Sequence, residues 1–156
     1  MTLTEIRDEA ASLLCAQPFF AEYKIIAEYP GAARQLPLKS PLLVVGIDKI
    51  ELGAGAMGGY FGESGGNVPT GPYGEITLRL DVLLPQNMNF PARLAEEIFA
   101  CIFANMGAQR LWCSEISRDK AAMASCRRFY LSFSALLYSA GDDESETFGE
   151  LIIRKV

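Results

Sequence analysis

From Gly74 to Leu84 the chain reads GEITLRLDVLL, and its side chains alternate cleanly from Glu75 to Val82. Ile76, Leu78, Leu80 and Val82 fall on one side; Glu75, Thr77, Arg79 and Asp81 fall on the other. A period of two marks a β-strand with one face packed and one face wet. Such a strand needs further strands beside it and an apolar layer over it, because an isolated strand pair is barely stable in water.

The rest of the chain supplies both. Leu3, Ile6, Ala10, Leu13 and Leu14 recur at helical spacing, and Thr2 with Glu5 matches a capping box. A helix over 3–15 is predicted, ended before Pro18 and covering a sheet. Tyr23 to Tyr29 reads as a strand closed by Pro30-Gly31. Pro41 to Leu52 reads as a longer one. Its first half is continuously apolar, which predicts cover on both faces; its second half sets Ile47, Lys49 and Glu51 against Asp48, Ile50 and Leu52 and runs out toward solvent. A helix over about 90–106 follows, with Asn87 or Asn89 as cap, Pro91 in its first turn, Arg93 and Glu97 as an i,i+4 pair and Gly107 as its stop.

Leu111 to Ser117, Ser125 to Tyr138 and Phe148 to Val156 read as closing strands, with Phe129, Leu131, Phe133, Ala135 and Leu137 on one face of the second. Gly141 to Thr147, GDDESET, is an acidic turn. The predicted order is α-β-β-β-α-β-β-β. Segregated strands with two main helices mean an α+β fold with a mostly antiparallel sheet, and a length of 156 residues fits a single domain, 1–156.

Composition narrows function more than fold. Histidine is absent, which removes the commonest general base, the commonest metal ligand and the usual serine and cysteine nucleophile systems together. The net charge of -5 argues against a free-standing nucleic-acid binder but is compatible with a surface past which nucleic acid slides. Cys15, Cys101, Cys113 and Cys126 form no C-x-x-C pair and match no zinc spacing, so free buried thiols are expected. No export signal and no membrane-spanning run is read from the sequence.

The segment Gly53 to Gly74 is loaded with glycine and contains a literal G-x-G-x-x-G at Gly53, Gly55 and Gly58. A dinucleotide site needs a helix opening at the third glycine, and here Gly59, Tyr60, Phe61 and Gly62 follow instead. The segment is read as a long loop, and Met57, Tyr60, Phe61 and Tyr73 as aromatic or apolar anchors that order against a partner. Helix 90–106 is apolar nearly all round, with Ala100 and Ala104 where a solvated face carries charge, so its second cover is read as another subunit. Arg127 and Arg128 are read as pointing to opposite sides of a strand, for edge protection or an ion pair, and Trp112 as a core residue. Glu115, Arg118, Asp119 and Lys120 are charged enough for a site, but their spacing sets no geometry. Asp142, Asp143, Glu144 and Glu146 lack calcium-loop spacing and read as a solvated hairpin turn. No catalytic, cofactor or metal constellation emerges, and the chain is read as no enzyme.

The layout of an N-terminal amphipathic helix, a strand opening Pro41-Leu42-Leu43-Val44-Val45, a loop, the strand Ile76 to Leu84, the helix Ala92 to Met106 and then LWCSEISRDKAAMASCRRFYLSFSALL resembles the tail-terminator and neck proteins of tailed bacteriophages and prophages. The resemblance implies a homo-oligomer, a hexameric ring that caps the tail tube and meets the neck, with DNA only passing through its lumen. It implies a location in the bacterial host cytoplasm during assembly and then in the virion or a phage-tail-like particle. Another head-tail or baseplate component, or a nucleotide enzyme using the 53–58 glycines, stands as the alternative.

Overall fold

The computed structural model describes residues 3–28, 37–53, 73–120, 123–139 and 151–155. Helix α1 spans Leu3–Cys15, as its periodicity predicts, and buries Ile6, Ala10 and Leu14. A 3-10 turn, Pro18–Phe20, follows and buries Phe20. The strands are β1 (Lys24–Ala27), β2 (Leu42–Gly53), β3 (Tyr73–Pro85), β4 (Arg110–Cys113), β5 (Ser117–Asp119), β6 (Ala124–Ser139) and β7 (Leu151–Lys155). They form one sheet in the order β1-β2-β3-β6-β4, with β5 and β7 also paired to β6. Among the described residues only β1–β2 is parallel; every other pairing is antiparallel. The architecture is the expected α+β.

The second helical run, α2, covers 94–106 in three parts: an α-helix Leu94–Ile98, a π-helical turn Phe99–Phe103 and an α-helical end Ala104–Met106. Its core-facing row is Leu94, Ile98, Ile102 and Met106, all buried. A strict every-fourth-residue row drifts about 40° per step in an α-helix of 3.6 residues per turn. The wider π turn takes out part of that drift and keeps the row on the sheet. The helix begins at Leu94, later than expected, and neither Asn87 nor Asn89 caps it: Arg93 occupies the cap position without a side-chain cap bond. It ends as predicted at Gly107, whose left-handed backbone (φ 66°) and N–H bond to the Phe103 carbonyl close the last turn.

Both helices cover the same face of the sheet. Leu43 and Val45 of β2, Ile76, Leu78, Leu80, Val82 and Leu84 of β3, and Phe129, Leu131 and Phe133 of β6 form one buried cluster with α1, Phe20 and α2. The opposite face carries a much smaller cluster of Val44, Leu83, Ala124 and Cys126, edged by Ile26, Leu38 and Leu42. The continuously apolar start of β2 is therefore covered on both faces, as its pattern requires.

Three local expectations give way to tertiary structure. The strict alternation of β2 breaks at Asp48, where the register with β3 shifts: Ile47 pairs with Leu78, but Lys49 pairs with Thr77 and Ile50 with Ile76. This bulge turns Ile47 and Ile50 to the same side. The second face of β3 is not simply wet, since Thr77 and Asp81 are buried. The strand expected over 111–117 splits into β4 and β5. At the break the Ser114 N–H donates to the Arg128 carbonyl, and its hydroxyl accepts from the Arg128 N–H at 3.1 Å. A side chain thus stands in for a ladder carbonyl, and Ile116 is left exposed.

Candidate functional site

The outer surface of α2 is the first candidate. Leu94, Ile98, Cys101, Ile102 and Met106 are committed to the core, whereas Phe99, Ala100 and Ala104 are exposed. Phe99 is 46 % exposed, and its ring stacks on Phe103 with centroids 4.4 Å apart and planes 17° from parallel. A stacked aromatic pair flanked by alanines presents a flat apolar patch to which another surface can come close. Arg93 and Glu97, paired at 2.6 Å, border it one turn earlier. The expected anchors Ala100 and Ala104 thus lie exposed together on one helix face. Met57, Tyr60 and Phe61 lie outside the described residues. Tyr73 is the first residue of β3, where its backbone pairs with Gly53 and Leu136, at the opposite end of that strand from the link into α2.

The face of the sheet away from the helices is the second candidate. Cross-strand partners place Val44, Asp81 and Arg128 in one row and Gly46, Arg79, Tyr130 and Trp112 in the next. Asp81, 2 % exposed, is reached by Arg79 at 3.2 Å and Arg128 at 3.5 Å, and Arg79 also contacts Asp48 at 3.2 Å. These contacts on the Asp81 carboxylate are ionic rather than well-directed hydrogen bonds. They account for a buried carboxylate on a face expected to be wet, since burial of a charge requires a partner. Trp112 stacks on Tyr130 (5.5 Å, 12°) and is 45 % exposed, so it is a surface residue and not the expected core residue. The apolar cluster on the helix side is already filled, and β4 lies at the edge of the sheet among the described strands, which leaves its outward side chain little cover from the described residues.

Arg127 and Arg128 do point to opposite sides. Arg127 donates to the Ser114 carbonyl at 3.3 Å and to Cys113 Sγ at 3.2 Å, with its guanidinium 5.8 Å from the Phe129 ring centre. Arg128 pairs with Asp81. Edge protection is not their role, because β6 is bonded on both sides, to β3 and to β4, Ser114 and β5.

Two open grooves lie on this face. One, about 360 Å³, is bordered by Glu28, Val44, Ile47, Arg79 and Asp81. The other, about 280 Å³, is floored by Leu83 and Cys126 and rimmed by Arg118, Asp119, Lys120 and Arg128. The second gathers three of the four residues that the sequence marks as charged but unplaced; Glu115 is not among them. Sequence reasoning missed that Arg128 joins them, because the Ser117–Cys126 pairing that brings β5 beside β6 is not written in either segment alone.

Two of the four cysteines, Cys101 and Cys126, are buried as expected, while Cys15 and Cys113 are exposed; all four are free. Burial pushes the Cys101 thiol above its ordinary range, opposed in part by a hydrogen bond with Gln17. Among the described residues, no cluster of three or more His, Cys, Asp or Glu is arranged to hold a metal ion, and no helix is long and apolar enough to cross a membrane. Asp142, Asp143, Glu144 and Glu146 lie outside the described residues, as do Gly55 and Gly58. Gly53 ends β2, and the next strand, β3, lies antiparallel beside it. That topology is not the βαβ unit a dinucleotide fingerprint requires.

The fold and these surfaces define an α+β chain with one filled helix-covered core and two outward-facing candidate surfaces. The sequence matches no protein-family model and no curated protein.

Proposed function

We propose that the chain is a structural assembly subunit of a tailed bacteriophage or prophage. It acts as a tail-terminator ring protein that oligomerises, caps the tail tube and joins it to the neck, and it breaks no bonds. The observation that carries this reading is exposed Phe99, stacked on half-buried Phe103 and flanked by exposed Ala100 and Ala104, on a helix whose other side is already spent on the core. An apolar helix face of this kind calls for a second protein surface, and another copy of the chain is the occupant this reading assigns. The element order, with helices on one face of a mostly antiparallel sheet, supports the family resemblance drawn from the sequence. In this reading the net charge of -5 keeps DNA from sticking as it passes through the ring. The protein works in the host cytoplasm during assembly and then in the particle.

Size-exclusion chromatography with light scattering tests it. A closed oligomer, alone or with the tail-tube protein, is expected. A strict monomer at high concentration in both conditions overturns the reading. A nucleotide screen by thermal shift addresses the rival enzyme: a ligand at 100 times its dissociation constant adds about 2.7 kcal/mol, and no such shift is expected.

A further inference from the structure

The two edges of the sheet carry opposite charge. Among the described strands β1 stands at one edge, with β4 and β5 at the other. Residues 3–28, which build α1 and β1, hold five acids against Arg7 and Lys24. Residues 110–128, which build β4, β5 and the start of β6, hold five bases against Glu115 and Asp119. The acids are gathered in space: Arg7 of α1 pairs with Asp8 and with Glu28, just past β1, each at 2.9 Å. Glu5 lies one turn before Asp8 on the same side of α1, and all three carboxylates are exposed. On the basic edge Arg118, Lys120 and Arg128 rim the 280 Å³ groove and are exposed. Exposed Trp112, Ile116 and Met123 lie in the same stretch, half of the six large apolar side chains that stand exposed among the described residues. Apolar side chains bordered by charge are the anatomy of a protein contact.

These charges do not satisfy one another within one molecule. β2, β3 and β6 stand between β1 and β4, which puts the two edges roughly 19 Å apart at about 4.8 Å per strand. That is more than two screening lengths of about 8 Å at physiological salt. Nucleic acid matches the charge of the basic edge but leaves Ile116 and Met123 without an aliphatic partner. The edge at β1 supplies both, since half-buried Ile25 and Ile26 lie on that strand between Glu22 and Glu28.

We propose that the basic edge at Arg118, Lys120 and Arg128 docks against the acidic α1–β1 edge of a second copy of this chain, around Glu5, Asp8 and Glu28. Such a contact is heterologous: each copy offers one edge to one neighbour and the other edge to the next, and a ring results when the rotation closes. Charge complementarity of this kind sets orientation and partner choice more than raw affinity. The exposed apolar side chains at the basic edge supply the area that leaves water. The inference rests on the assembly reading for its copy number and adds to it the residues that set the direction of the ring.

Sedimentation velocity on the full chain and two charge-reversed variants is the test. R118E/K120E leaves a copy with two acidic edges; E5K/E22K leaves one with two basic edges and spares the Arg7 pairs. Each reversal moves the net charge of -5 by two per residue, so both variants stay acidic and no overall attraction draws them together. Either variant alone is expected to associate about tenfold more weakly than wild type, or less, while their equimolar mixture recovers wild-type association, and salt weakens both. Circular dichroism and melting show whether the variants fold; where a reversal does not, R118Q/K120Q and E5Q/E22Q remove the charge without reversing it, and the same loss of association is expected. Unchanged association in R118E/K120E, no recovery in the mixture of folded variants, or indifference to salt overturns the proposal. So does a labelled oligonucleotide that wild type binds and R118E/K120E loses while self-association stays as it was. A wild-type ring that persists in R118E/K120E sinks the edge contact and leaves the ring reading standing. A wild type that forms only open, salt-sensitive chains, lost in each variant and recovered in the mixture, sinks the closed ring and leaves the edge contact standing.

Discussion

The two faces of the sheet are built by the same strands and differ in almost every physical respect. Under the helices, β2, β3 and β6 contribute a continuous apolar layer, with Leu43, Val45, Ile76, Leu78, Leu80 and Leu131 fully buried. On the other face the same strands contribute a small apolar cluster at one end, an ionic cluster around Asp81 in the middle and the Trp112–Tyr130 stack toward the edge. The first face holds most of the core; among the described residues the second carries the charged grooves.

Equal truncations on the two faces will sharpen that contrast. Leu80→Ala removes a side chain enclosed by sheet and helices, where neighbours relax little, and is expected to cost about 3 kcal/mol in urea denaturation. Leu83→Ala opens space in the smaller cluster, beside half-buried Leu38 and Ile26, which can collapse inward; about 2 kcal/mol is expected. Equal losses at the two sites would erase the distinction. Asp81→Asn is expected to cost about 1 kcal/mol, because Arg79 and Arg128, one-third and one-half exposed, return to water once their shared carboxylate is neutral.

A smaller loss tracks pH. The Cys101 thiol titrates higher in the folded chain than in the unfolded one, chiefly through burial. Its contribution is therefore fully present below the ordinary thiol pKa of about 8.5 and is lost as pH rises toward the folded value, because the unfolded thiol ionises first. Denaturation midpoints for wild type should fall more steeply above that pH than those of Cys101→Ala. Thiol labelling of the native protein should in turn mark exposed Cys15 and Cys113 and spare Cys101 and Cys126. The smallest effect on folding is expected at Phe99→Ser, within about 0.5 kcal/mol, since the ring is nearly half exposed. The same variant should abolish self-association. A large loss of stability there would make Phe99 a core residue and remove the basis for the assembly reading.

Where a segment's own residues decide its structure, it was legible in advance. The helix over 3–15 has its observed bounds because its apolar residues repeat at 3.6, and the predicted β3 lies within a residue of the observed one at each end because Glu75 to Val82 alternate cleanly. Gly107 ends its helix for a reason confined to one residue, its tolerance of a left-handed backbone. The candidate surfaces were half legible. Ala100 and Ala104 could be marked as too small and apolar for a solvated face, but Phe99 was not singled out, because only the π turn and the packed row at Leu94, Ile98, Ile102 and Met106 decide which way it points. The groove is legible only as an unplaced charged run at Arg118, Asp119 and Lys120, since Arg128 joins them only through the pairing of β5 with β6.

The sequence by itself determined the class of fold, the order and approximate bounds of most elements and the absence of imidazole chemistry, because periodicity and residue type act over a few neighbouring positions. The tertiary structure alone decided the bulge at Asp48, the burial of Asp81, the break at Ser114, the exposure of Trp112 and the gathering of the basic groove. Each of these depends on which side chain stands opposite on the next strand, and that partner is set by register between segments distant in the chain.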